Sequence, residues 1–278
     1  MEPIPSSPAV AIFDSVTHIH ALDSAVPVVC GSHAGAYSAR VAIRRGVQAI
    51  VLSDAGIGLD EAGVAGLEIL NAAGIAAGAA AVGSARIGDA RDIHARGILS
   101  RVNELARRAG VQPGMRVSDA LELLLSRACS AKPADADAAA DTEERQERDD
   151  WGPLRVVLLD SNSLARRSDD GAVVITGSHG ALLGGDERTA ITCTPLAAFY
   201  NDAGAGADNA GVSRLPALDK LGIAAAAVDA RTARIGSATS TLDDGVISTV
   251  NHAAERAGLA PGMTVRAALS RLARSATR

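Results

Sequence analysis

The chain contains itself twice, and that constrains the fold more than any other feature. Ser53-Asp54-Ala55-Gly56-Ile57-Gly58-Leu59-Asp60 returns as Asn201-Asp202-Ala203-Gly204-Ala205-Gly206-Ala207-Asp208, from 53 to 201, an offset of 148. The same offset relates Ala85-Arg86-Ile87-Gly88 to Ala233-Arg234-Ile235-Gly236 and Pro113-Gly114-Met115 to Pro261-Gly262-Met263. Upstream, Asp14-Ser15 matches Asp160-Ser161 and Gly31-Ser32-His33 matches Gly177-Ser178-His179, now at an offset of 146. A unit of this length is a duplicated domain, not a solenoid repeat. The residues shared by both copies are mainly Gly, Asp, Ser, His and Arg, which points to a paired site.

The 278 residues divide into two domains of ordinary size, and a hydrophobic fraction of 47% can fill two cores. Aromatics make up only 2%, so Ala, Val, Leu and Ile carry the packing, and the stacking platforms of single-strand nucleic-acid binders are missing. Net charge is −5, and the stretch Ser130 to Asp150 holds all of it, with eight acids and three bases. The remainder balances 24 bases with 24 acids, so nucleic acid has no basic footprint to bind. No apolar run reaches the length of a membrane span, and Met1-Glu2-Pro3-Ile4-Pro5 does not read as a signal peptide. Cys30, Cys129 and Cys193 lack metal-site spacing and fit small buried thiols. The expected setting is cytoplasmic, with no membrane partner and a homo-oligomer left open.

Alternating short apolar runs and helical segments predict an α/β fold, with two tandem copies of a mostly parallel three-layer unit related by pseudo-two-fold symmetry. The first copy covers residues 9–128 and the second 154–276, with an acidic, Ala-rich flexible linker at 129–153 between them. Long helices are expected over 92–109 and 243–257, and Asp60 and Asp208 sit where helix N-caps belong. The polar motifs then fall at the carboxyl ends of parallel strands, where open α/β sheets bind ligands.

His33 and His179 each end such a strand beside Ser32 or Ser178. Adjacent strand residues face opposite ways, so a Ser–His dyad is expected between the copies rather than within a motif. Asp54 and Asp202 also sit at strand ends and suit a general base or a histidine-orienting carboxylate. The loops at Gly56 and Gly204 can offer backbone N–H groups to an anion, although their glycine spacing is not that of a dinucleotide fingerprint. Arg86 and Arg234 can grip a carboxylate or phosphate with two donors, or pair with Asp54 and Asp202. Asn201, where the first copy has Ser53, marks an asymmetry suited to ligand contact. The six His and Asp groups could take a divalent metal, but no compact ligand pattern appears. Cys193 could be a nucleophile, though the first copy has no counterpart.

These features predict an enzyme acting on a small anionic metabolite at a composite site between the copies. His33, His179, Asp54 and Asp202 would be catalytic. Ser32, Ser178, Arg86, Arg234, Gly56, Gly204 and Asn201 would bind substrate. Hydrolysis leads isomerase and lyase chemistry. The alternative is a non-catalytic, two-lobed protein that closes over a small ligand.

Overall fold

The computed structural model describes residues 10–20, 26–128 and 145–276. Two mixed, mostly parallel sheets form the scaffold. In the first copy, β1 (Ala11–Phe13), β2 (Val28–His33), β3 (Ala49–Ser53) and β4 (Ala76–Ala80) run parallel in sequence order, and β5 (Leu99–Val102) adds antiparallel to β4. Short helices connect them: α1 (Ala36–Arg44), α2 (Gly66–Ala72), α3 (Ala90–Arg96), α4 (Glu104–Arg108) and α5 (Val117–Ala128).

The second copy opens with β6 (Arg145–Trp151), antiparallel to β7 (Leu154–Leu159). Then β8 (Val173–His179), β9 (Ala197–Asn201) and β10 (Ala224–Val228) continue the parallel run, and β11 (Ile247–Val250) closes it antiparallel. Its helices are α6 (Arg214–Lys220), α7 (Ala238–Asp243), α8 (His252–Arg256) and α9 (Val265–Ala276). Among the described residues, no helix is long and apolar enough to cross a membrane.

Strand alternation explains the three layers. In the first copy Val28, Cys30, Ile50 and Leu52 face α1 and α2, while Val29, Ala49 and Val51 face α3 and α5. In the second copy Ile175, Phe199 and Ala226 pack on α7, α8 and α9, and Tyr200 and Ala227 pack on α6. No helix equivalent to α1 exists there. Residues 180–196 form turns and one short 3-10 segment, Glu187–Thr189. Arg214 fills the space instead. Fully buried, it donates to the carbonyls of Ala181, Thr189 and Ala190 and stacks over Tyr200 at 5.1 Å.

Several expectations are corrected. The segment 92–109 is a helix, a strand and a second helix, because Gly97 ends α3 and Asn103 caps α4. The segment 243–257 divides in the same way. Arg145–Trp151, expected in the linker, is an edge strand on which Glu147, Asp149 and Asp150 are exposed while Arg145 turns in to the buried Asp169; residues 129–144 of the proposed tether lie outside the described residues. Asp60 and Asp208 are not N-caps. Each is left-handed (φ 52° and 55°) inside a 3-10 turn, and neither side chain caps it.

Candidate functional site

The polar motifs gather at the carboxyl ends of β2, β3, β8 and β9, where the two copies meet. Val82 and Ile87 of one copy pack with Ala203 and Ile235 of the other. The contacts are reciprocal: Leu59 N–H donates to Ala230 O and Ala207 N–H to Val82 O, both at 2.8 Å. The loops at Gly56 and Gly204 cross there; a Cβ on Gly56 would lie 3.3 Å from Gly204 Cα.

These loops are strained. Ala55, Ile57, Asp60 and Glu61, and their four counterparts, have left-handed backbones, at a cost of roughly 1–2 kcal/mol each. Asp54 and Asp202 hold them in shape. Asp54 Oδ1 accepts from Gly56 N (3.0 Å) and Val82 N (2.9 Å), and its Oδ2 accepts from Ser100 Oγ (2.7 Å). Asp202 Oδ1 accepts from Gly204 N and Ala230 N. Asn201 has a similar bracing task, accepting from Ala203 N and donating to Ala233 O. None of these three lines the cavity that holds the histidines, nor do Gly56 and Gly204.

Arg86 and Arg234 also point elsewhere. Arg234 Nε donates to Asp60 at 2.7 Å, while Arg86 pairs with Asp92 at 3.1 Å and approaches Asp208 at 3.6 Å. Each arginine thus meets the aspartate of the opposite copy, not Asp54 or Asp202. Asp89 and Ser237, a polar difference between the copies, share one task as the N-caps of α3 and α7.

The structure does bring His33, His179, Ser32 and Ser178 together. They line a cavity of about 200 Å³ between the copies. Each imidazole crosses to the opposite copy: a Cβ on Gly236 would sit 3.2 Å from His33 Cε1, and one on Gly88 would sit 3.5 Å from His179 Cε1. His33 Nδ1 accepts from Gly35 N at 3.1 Å and His179 Nδ1 from Ala181 N at 3.2 Å. That fixes the tautomer of the neutral ring, with the proton on Nε2. Burial lowers His33 to about 4, and burial with Arg214 and His33 nearby lowers His179 to about 3, so both are neutral near pH 7. Among the described residues, neither Nε2 has a hydrogen-bond partner and neither serine bonds a histidine. Ser32 Oγ accepts from Val16 N and Ser178 Oγ from Asn162 N.

The sequence reading missed the rest of the wall. Ser15, Thr17, Ser161, Ser163 and Asn162 line the cavity, with Asp160 as its carboxylate and exposed His18 at its edge. The repeated Asp-Ser dipeptide was the available signal. Asp160 Oδ1 accepts from Ala238 N at 2.8 Å. Cys193 lies outside, and burial raises its thiol to about 11, which suppresses the thiolate. Among the described residues, no group of three or more His, Cys, Asp or Glu is arranged for a metal ion. No protein-family model, curated protein or solved structure matches the chain.

Proposed function

We propose that the protein is an enzyme acting on a small polar carbonyl compound in the cavity between the copies. The carrying observation is the pair of buried, neutral imidazoles, one from each copy, whose Nδ1 atoms are occupied by backbone N–H groups. Two Nε2–H donors in one cavity favour negative charge developing on a substrate oxygen. Asp160 lines the same cavity, and in this reading its carboxylate accepts a proton from the substrate or from an attacking water. Hydrolysis or proton transfer beside the carbonyl both use this arrangement. A two-lobed binder that closes over its ligand fits less well, because the loops at Gly56 and Gly204 cross and bond reciprocally between the copies.

The test incubates the full chain with pooled amides, esters, lactams and hydroxyketones and follows each by proton NMR. Turnover that is lost in His33→Asn/His179→Asn supports the reading. Undiminished turnover in that variant, or ligand binding without turnover in the parent, refutes it.

A further inference from the structure

Each copy brings the same set of donors to the histidine cavity. His33 with the Ser15–Thr17 pair corresponds to His179 with the Ser161–Ser163 pair, all at the offset of 146. Ser15 Oγ accepts from Thr17 N and bonds Thr17 Oγ1 at 2.8 Å. Ser161 Oγ accepts from Ser163 N and bonds Ser163 Oγ at 2.7 Å. One hydroxyl hydrogen of each pair is spent inside the pair, and among the described residues the other has no acceptor. Each copy therefore offers one imidazole Nε2–H and one hydroxyl hydrogen, four donors in all.

These donors set what the cavity can hold. A carbonyl oxygen has two lone pairs, so one oxygen cannot take four donors. A donor left unpaired by the bound ligand costs affinity. Two oxygens, one turned toward each copy, satisfy all four. Size and charge narrow the class further. About 200 Å³ has room for roughly seven waters, hence for a compound of about as many non-hydrogen atoms. Among the described residues that line the cavity, none is a lysine or an arginine, and the carboxylate is Asp160. Arg214, whose charge bears on His179, does not line it and donates to the carbonyls of Ala181, Thr189 and Ala190. An anion would exchange water for neutral donors beside a carboxylate, which is unfavourable.

We propose that the ligand is a small uncharged dicarbonyl compound, an imide being the simplest case, with one oxygen held by His33 and the Ser15–Thr17 pair and the other by His179 and the Ser161–Ser163 pair. The choice of carbonyl oxygens rests on the proposed function; the demand for two acceptors rests on the donors alone.

The experiment compares compounds that differ by one carbonyl: succinimide against 2-pyrrolidinone, and glutarimide against 2-piperidinone. Each is titrated into the full chain with thermal unfolding as the readout, because binding stabilises the native state. Succinate is the charged control, against sodium chloride at the same ionic strength. In each pair the imide should bind roughly tenfold or more tightly than the lactam, and succinate should not exceed chloride. His33→Asn and His179→Asn, taken singly, should each lower the preference, since each removes the imidazole donor of one side. The comparison in the parent needs no variant to fold. Imide and lactam binding equally, none of the four binding, succinate binding as tightly as succinimide, or a preference untouched in either histidine variant overturns the proposal. An imide preference without turnover upholds the two-oxygen site and refutes the proposed chemistry; turnover with equal binding of imide and lactam does the reverse.

Discussion

Acidification should weaken this protein well before its aspartates protonate. The perturbation is a shift from about pH 8 to about pH 5. His33 and His179 have folded values of about 4 and about 3 against an ordinary 6.5. Both are depressed, so the unfolded chain binds the additional protons. Stability is therefore complete above 6.5 and falls as pH drops through the window toward 4 and 3. At about pH 5 the unfolded imidazoles are almost fully protonated and the folded ones are not, which costs about 2 kcal/mol per histidine and about 4 kcal/mol for the pair. The slope near that pH is about 2 to 3 kcal/mol per pH unit. Carboxylates act lower down. Burial opposes it, but bonds from Arg96 and the Arg86 backbone hold Asp92 below its ordinary 3.8, so its contribution is lost only at more acid pH. Urea unfolding followed by circular dichroism across this range measures the slope. In His33→Asn/His179→Asn, where the Asn oxygen can replace Nδ1 as acceptor, the slope should largely vanish. A stability that is flat from pH 8 to pH 5, or an equal slope in the variant, would refute the claim that both rings are buried and neutral.

Three further outcomes are expected. Gly236→Ala places a Cβ at φ +86° and 3.2 Å from His33 Cε1, so it should cost roughly 1–3 kcal/mol in thermal unfolding, and an unchanged melting temperature would count against the packing described. Arg214→Met leaves two buried carbonyls and one half-buried carbonyl without this donor and should lose about 1–3 kcal/mol in urea unfolding; a variant as stable as the parent would show that the carbonyls find other donors. Asp60→Asn removes an inter-copy pair whose side chains are 57% and 50% exposed, so less than about 1 kcal/mol should disappear, and a larger loss would mean the pair is far better shielded than its exposure indicates.

Much of the fold was legible because it rests on local patterns. The apolar runs at 28–30 and 49–52 end in polar motifs, and parallel strands place such ends on one edge. His33 and His179 were legible for the same reason. The partners of the loop residues were not. Asp60 reads as a helix cap from its neighbours, yet its guanidinium lies 174 residues away on Arg234. Asp54 reads as a base because sequence cannot display the N–H groups of Gly56 and Val82 that occupy its oxygen. The strand Arg145–Trp151 was hidden by its composition: charged residues suit an outward-facing edge strand as well as a tether, and only the presence of β7 beside it decides.

The reciprocal clasp of the loops has an evolutionary consequence. Two identical subunits could hold the same clasp, but every substitution in such a dimer would appear on both sides of the symmetry axis. A single chain is released from that constraint. One half carries α1, and the other has no helix there and seats Arg214 in the space. In a single chain the two walls of the seam can differ, so the half that supplies Asp160 and the half that supplies Tyr37 can be selected separately.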